Sequence, residues 1–324
     1  MGIDMRRALI VLGALVALAA AGVAAQAPPA QADANYRVPR TPWGDPRNTL
    51  TAEEFTARQS NFEEQEELDN ADFDLENADS TPGGGVGGPV SPPPHWLERG
   101  RPQFQASLIV DPPDGRTPPL TTEAQARQAA QRDERQGRGP ADSYIDRSLY
   151  DRCISRGIAG SILPVIYNNG NEIVQAPGFV AIRNEMIHET RVVPLDGRSR
   201  ASPDIKLWMG DSRGRWEGDT LVVETKNLGS FAPGIGVNGG GLRHSDDVTL
   251  TERFSRLNDD TLVYSMTVDD PNTWERPWTM QYPLRRDDDY GFYEYACHEG
   301  NYSLFNILSG ARADDQAAAA EAGR

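Results

Sequence analysis

Val248-Thr249-Leu250-Thr251-Glu252-Arg253-Phe254 is followed, after Asn258-Asp259-Asp260, by Leu262-Val263-Tyr264-Ser265-Met266-Thr267-Val268. Successive side chains of a strand point to opposite faces. Val248, Leu250 and Phe254 therefore share one face, with Thr249, Thr251 and Arg253 on the other. Leu262, Tyr264, Met266 and Val268 repeat the pattern, and the Asn-Asp-Asp between the runs is hairpin chemistry. Two half-buried antiparallel strands follow from this.

Working outward, the same reading places strands at 162–167, 171–176, 179–186, 188–194, 213–217, 219–226, 246–256, 260–269, 276–285 and 290–298. Asn168-Asn169-Gly170 and Glu217-Gly218-Asp219 supply further tight turns. Many strands with almost no helix between them make a mainly β chain, an antiparallel meander. Closure into an up-and-down, lipocalin-like barrel removes exposed edges, so a closed barrel is the expected form. A two-sheet sandwich is the alternative.

The flanks read differently. Arg6-Arg7, the apolar run Ala8–Leu18 and Ala25-Gln26-Ala27 have the order of a secretory leader, residues 1–27, with cleavage near Ala27. Export to the periplasm or beyond follows as the expectation. Residues 28–94 read as a disordered acidic and Gly/Pro-rich arm. Within it, 51–80 hold eleven acids and one base, Arg58, and Thr81–Pro94 is a Gly/Pro linker. Order is expected to begin at His95-Trp96, with an irregular segment over 95–160. Thr122 with Gln125 opens one polar peripheral helix there, about 123–136. The β domain spans 161–311, and the Ala-rich tail 312–324 is helical.

Composition excludes several classes. With 48 Asp+Glu against 32 Lys+Arg, the net charge of −16 argues against nucleic acid as a partner. No stretch after the leader is apolar for long enough to span a bilayer. Oligomeric state is open. The two cysteines, Cys153 and Cys297, read as one disulfide in an oxidising compartment. Closing so long a loop is worth ~5 kcal/mol at most in the chain-entropy model. Cys297-His298 as nucleophile and base is the competing reading, and adjacent strand residues face apart.

Chemistry concentrates at a few positions. Glu252 lies on the apolar face, where an ionised group costs several kcal/mol unless paired. It is either a ligand contact in a barrel lumen or the partner of an inward-facing Arg. Glu294 and His298 share a face of the last expected strand. Arg215 and Trp216, in the charged stretch 208–220, could clamp an anionic ring compound from the rim, and Trp278 could wall the lumen. A plain charged hairpin explains the same stretch. Glu185 and His188 point apart on a strand and meet only across a turn or bulge. The histidines His95, His188, His244 and His298 have no zinc spacing, so neither metal nor cofactor is expected.

The pieces Asp111–Arg116, Tyr167-Asn168-Asn169, Gln175–Gly178, Glu185-Met186-Ile187-His188, Pro194–Arg198, Gly210–Thr225 and Cys297–Tyr302 resemble a large group of exported bacterial proteins. The resemblance spans about 105–315 and implies an exported, β-rich protein; it carries no activity with it. Ser199-Arg200 stand where that group commonly has Pro-His, which weakens any metal site built on that histidine.

Three functions stay open. The leading one is binding of a small organic molecule in the barrel, with Glu252, Trp216, Arg215, Trp278 and Glu294 as contacts. Next is a hydrolase or lyase using Glu185, His188 or His298 as acid and base. The third is a structural or interaction protein using its acidic arm.

Overall fold

The computed structural model of the protein describes residues 8–11, 52–71, 98, 105, 107–165 and 167–323. Most of the expected leader, the arm outside 52–71, the Gly/Pro linker and His95-Trp96 lie outside the described residues.

The chain is mainly β. Ten strands are β1 (Ala8–Val11), β2 (Ile109–Asp111), β3 (Gly170–Ala176), β4 (Phe179–Asn184), β5 (Thr190–Pro194), β6 (Asp211–Glu217), β7 (Thr220–Lys226), β8 (Thr249–Asn258), β9 (Thr261–Asp269) and β10 (Trp278–Arg286). Their order is β5-β4-β3-β1-β10-β9-β8-β7-β6, with β2 also on β10. All pairings of these strands are antiparallel. Among the described residues only β1, inside the expected leader, joins β3 to β10. Without it the array is two sheets, β5-β4-β3 and β10 through β6.

The decisive hairpin forms as the alternation requires. Leu250 faces Val268, Glu252 faces Met266 and Phe254 faces Tyr264 across β8 and β9. On β10, Trp278, Met280, Tyr282 and Leu284 continue the buried face opposite Val268, Met266, Tyr264 and Leu262. Val180, Ile182 and Val193 close the same core from β4 and β5. Each fully buried aliphatic or aromatic side chain contributes about 1.5–3 kcal/mol.

The expected barrel does not close. Among the described residues no ladder joins β5 to β6. A Cβ on Gly214 of β6 would stand 2.5 Å from Leu195 Cδ2 and 2.9 Å from Val193 Cγ1. Side chains thus fill the seam where backbone hydrogen bonds would run, and Pro194 at the end of β5 has no N–H to offer.

Two expected strands are absent. Of the strand expected at 162–167, Ile162 ends a short buried helix, α3 (Gly157–Ile162), and the described residues 163–165 and 167 are not strand. A short apolar run cannot by itself distinguish a buried strand from a buried helix. Residues 290–298 make no ladder; their backbone and hydroxyls bond to the Glu185–His188 turn instead.

The helices refine the flanks. The polar helix is α2 (Thr122–Glu134), begun one residue early because Thr121 Oγ1 accepts from the Ala124 amide at 3.1 Å. It is peripheral as expected, with Ala124 its one buried residue. Within the acidic arm, Ala52–Ala71 are helical (α1). The stretch is rich in Glu, Gln and Ala, which favour helix, and Gln59 bonds Glu63 one turn on. The C-terminal helix α4 (Tyr302–Ala322) starts ten residues before the expected tail helix, capped by Asn301. Cys153 and Cys297 are bonded, tying the segment before α3 to the chain after β10.

Candidate functional site

The expected lumenal site is dispersed. Glu252 is fully buried and already answered. Arg191 of β5 donates to it twice, from Nη1 at 2.6 Å and from Nη2 at 2.8 Å, and the Tyr264 hydroxyl donates at 3.0 Å. Glu252 thus joins the two sheets, the structural alternative foreseen for it. Burial works against the Arg191 charge, but the Glu252 carboxylate outweighs it and raises the guanidinium above its ordinary value. Trp278 packs edge-on against Trp274 in the core, ring centres 5.5 Å apart. Trp216 lies on the surface, 48% exposed. Arg215 is held by Glu217, which also takes Arg253. Glu294 and His298 are both exposed, on a segment that is not a strand.

A different set of residues converges at one end of the sheets, where 290–301 crosses the turn after β4. That turn brings Glu185 and His188 together, since the His188 amide donates to the Glu185 carbonyl at 2.9 Å. Ile187 has φ +59° and His188 φ +44°. A left-handed conformation is unusual for any residue with a Cβ and strained for a β-branched one. Glu185 is buried and His188 exposed, with His188 Nδ1 2.9 Å from the Tyr295 carbonyl oxygen.

Among the described residues the donors to Glu185 are neutral. Tyr290 donates its hydroxyl at 2.5 Å, Asn168 Nδ2 donates at 3.1 Å and the Tyr293 amide at 3.3 Å. Glu98 stands alongside, its Oε1 3.1 Å from the same Tyr290 hydroxyl. The Asn168 and Asn169 amides both donate to Glu98 at 2.9 Å. Two carboxyl groups therefore surround one phenol. Burial, then the Glu185 hydrogen bond, push Tyr290 far above its ordinary value, so its proton stays on.

Beside this pair lies a tyrosine cluster. The Tyr150 hydroxyl is 3.1 Å from that of Tyr167 and 3.4 Å from that of Tyr295. The guanidinium of Arg156 lies over the Tyr150 ring, 4.8 Å from its centre. Burial lowers the pKa of Arg156, while these three phenols oppose the shift. The disulfide holds both segments of this arrangement, three residues before Arg156 and two after Tyr295.

The sequence marked Glu185 and His188 but not Glu98, Arg156 or the tyrosines. Tyr293 and Tyr295 flank Glu294 at the spacing of one strand face, which says nothing of what they bond to. Arg156 carries no local signal, because a base before an apolar run is ordinary. Among the described residues no three of His, Cys, Asp and Glu group as metal ligands, and no helix is long and apolar enough to cross a membrane. No family model, curated protein or solved structure matches the chain.

Proposed function

We propose that this protein is exported and binds a small organic molecule where the 290–301 segment crosses the Glu185–His188 turn. The leader-like residues 1–27 and the Cys153–Cys297 disulfide support export. The observation that carries the binding site is the pair of left-handed residues, Ile187 and His188. Strain of that kind costs about 1–3 kcal/mol per residue and persists where the surrounding structure over-determines it, commonly at binding and catalytic sites. The same turn carries an exposed His188 and a buried Glu185, both bonded to the 290–301 segment.

A second reading, turnover by a hydrolase or lyase, is favoured by Glu98 and Glu185 around the Tyr290 hydroxyl. Paired carboxyl groups and a histidine are the groups that acid–base chemistry uses.

Native mass spectrometry of the mature protein from its own periplasm, against His188→Gly, tests the site. Glycine relieves the strain, so the variant should be more stable by about 1 kcal/mol and should lose the bound organic adduct. Adduct retained by the variant, or found on neither protein, overturns the reading. A chemically altered adduct on the wild type selects turnover over binding.

A further inference from the structure

We infer that the molecule taken at this site is a small organic monocarboxylate, whose carboxylate is received by Arg156 and the tyrosine hydroxyls around it. This rests on the binding site proposed above and assigns its chemical class. Arg156 is 2% exposed, yet its Nε finds no hydrogen-bond acceptor. Among the described residues no carboxylate pairs with its guanidinium, which stacks on the Tyr150 ring; the Tyr150 hydroxyl in turn meets those of Tyr167 and Tyr295.

A buried guanidinium is costly unless hydrogen-bonded and paired. The same fold meets that requirement at Arg191, with two hydrogen bonds to Glu252. A cation–π contact with Tyr150 holds the plane of Arg156 but satisfies none of its donors. A guanidinium without a carboxylate, beside a hydroxyl cluster that can reorient to donate, suits a planar oxyanion. Its single positive charge among neutral phenols balances one negative charge. The carboxylates of Glu98 and Glu185 beyond the cluster disfavour a dianion such as phosphate. They can accept from a hydroxyl or amino group on the ligand.

Thermal unfolding of the mature protein with lactate, benzoate and acetate tests this. Lactamide, benzamide and acetamide serve as neutral isosteres, with inorganic phosphate as the dianion arm. At least one carboxylate should raise the unfolding temperature with saturation, while its amide and phosphate do not. Arg156→Gln should weaken that carboxylate by roughly 10–100-fold, the range for losing hydrogen bonds to a charged group. Arg156→Met without ligand should unfold at the same or a higher temperature, because it removes an unanswered buried charge. The inference falls if no carboxylate acts, if amide or phosphate acts equally, or if Arg156→Met unfolds at a lower temperature. A neutral adduct retained by Arg156→Gln would overturn the anionic class while leaving the site itself standing. An adduct-free wild type with no response to any compound would remove both.

Discussion

Arg191 and Arg156 are both sealed into the same molecule, one between the two sheets and the other beneath the 290–301 segment. Arg191 meets Glu252 fork to carboxylate, with Tyr264 completing the network, and only its Nε lacks a partner. Arg156 meets the ring face of Tyr150 and no carboxylate among the described residues. A cost accepted at one arginine and relieved at the other separates a residue that holds the fold from one that waits on something outside it. The backbone draws the same contrast. The β8–β9 hairpin beside Glu252 follows regular alternation, whereas the turn beside the Arg156 cluster holds two non-glycine residues at positive φ.

The largest expected effect comes from making the first arginine resemble the second. Glu252→Ala leaves Arg191 buried and unpaired and should cost about 3–5 kcal/mol, measured by urea unfolding. A loss below about 1 kcal/mol would mean that the two sites do not differ in kind.

Reducing the Cys153–Cys297 bond, which spans 144 residues, comes next. A disulfide removed from an exported domain typically costs about 2–5 kcal/mol. The loss should be local: hydrogen-exchange protection should fall around 150–156 and 290–301 and persist in β8 and β9. Uniform loss of protection would show that the two regions unfold as one.

The smallest effect concerns His244, a third buried group only half answered. Its Nδ1 lies 2.8 Å from the Ser245 carbonyl oxygen, and its Nε2 is buried without a partner. Burial lowers its pKa below the ordinary 6.5, against the Ser245 hydrogen bond and nearby acids. The unfolded chain therefore takes up a proton near pH 6.5 that the folded chain refuses until lower pH. Its contribution to stability is complete above pH 6.5, declines as pH falls below it, and levels off beneath the folded value. Glu189, raised by burial against its Ser155 hydrogen bond, works the other way and favours the folded state as pH drops. An NMR titration that showed the His244 ring protonating at or above pH 6.5 would reverse this assignment.

Much of the β domain was legible because a strand has a period of two and its two faces meet different surroundings. β8, β9 and β10 appear where alternation places them, and so does the inward side of Glu252. The 290–298 segment shows the limit of that signal. Tyr293 and Tyr295 alternate like strand residues, yet what they bond to is Glu185, His188 and Tyr150. That β5 and β6 stay unpaired was equally invisible, since it depends on Leu195 and Val193 lying against Gly214.

The sequence by itself determined the mainly β class, the strand parity that turns Glu252 inward, the leader-like start and the single pair of cysteines available to bond. These are local or countable properties, set by side-chain period and residue number. Only the tertiary structure decided that Arg191 answers Glu252, that the barrel stays open, and that Glu98, Glu185, Arg156 and four tyrosines meet at one end. Those outcomes depend on distances between residues far apart in the chain, and the free energy of a buried charge is fixed by what lies across space from it.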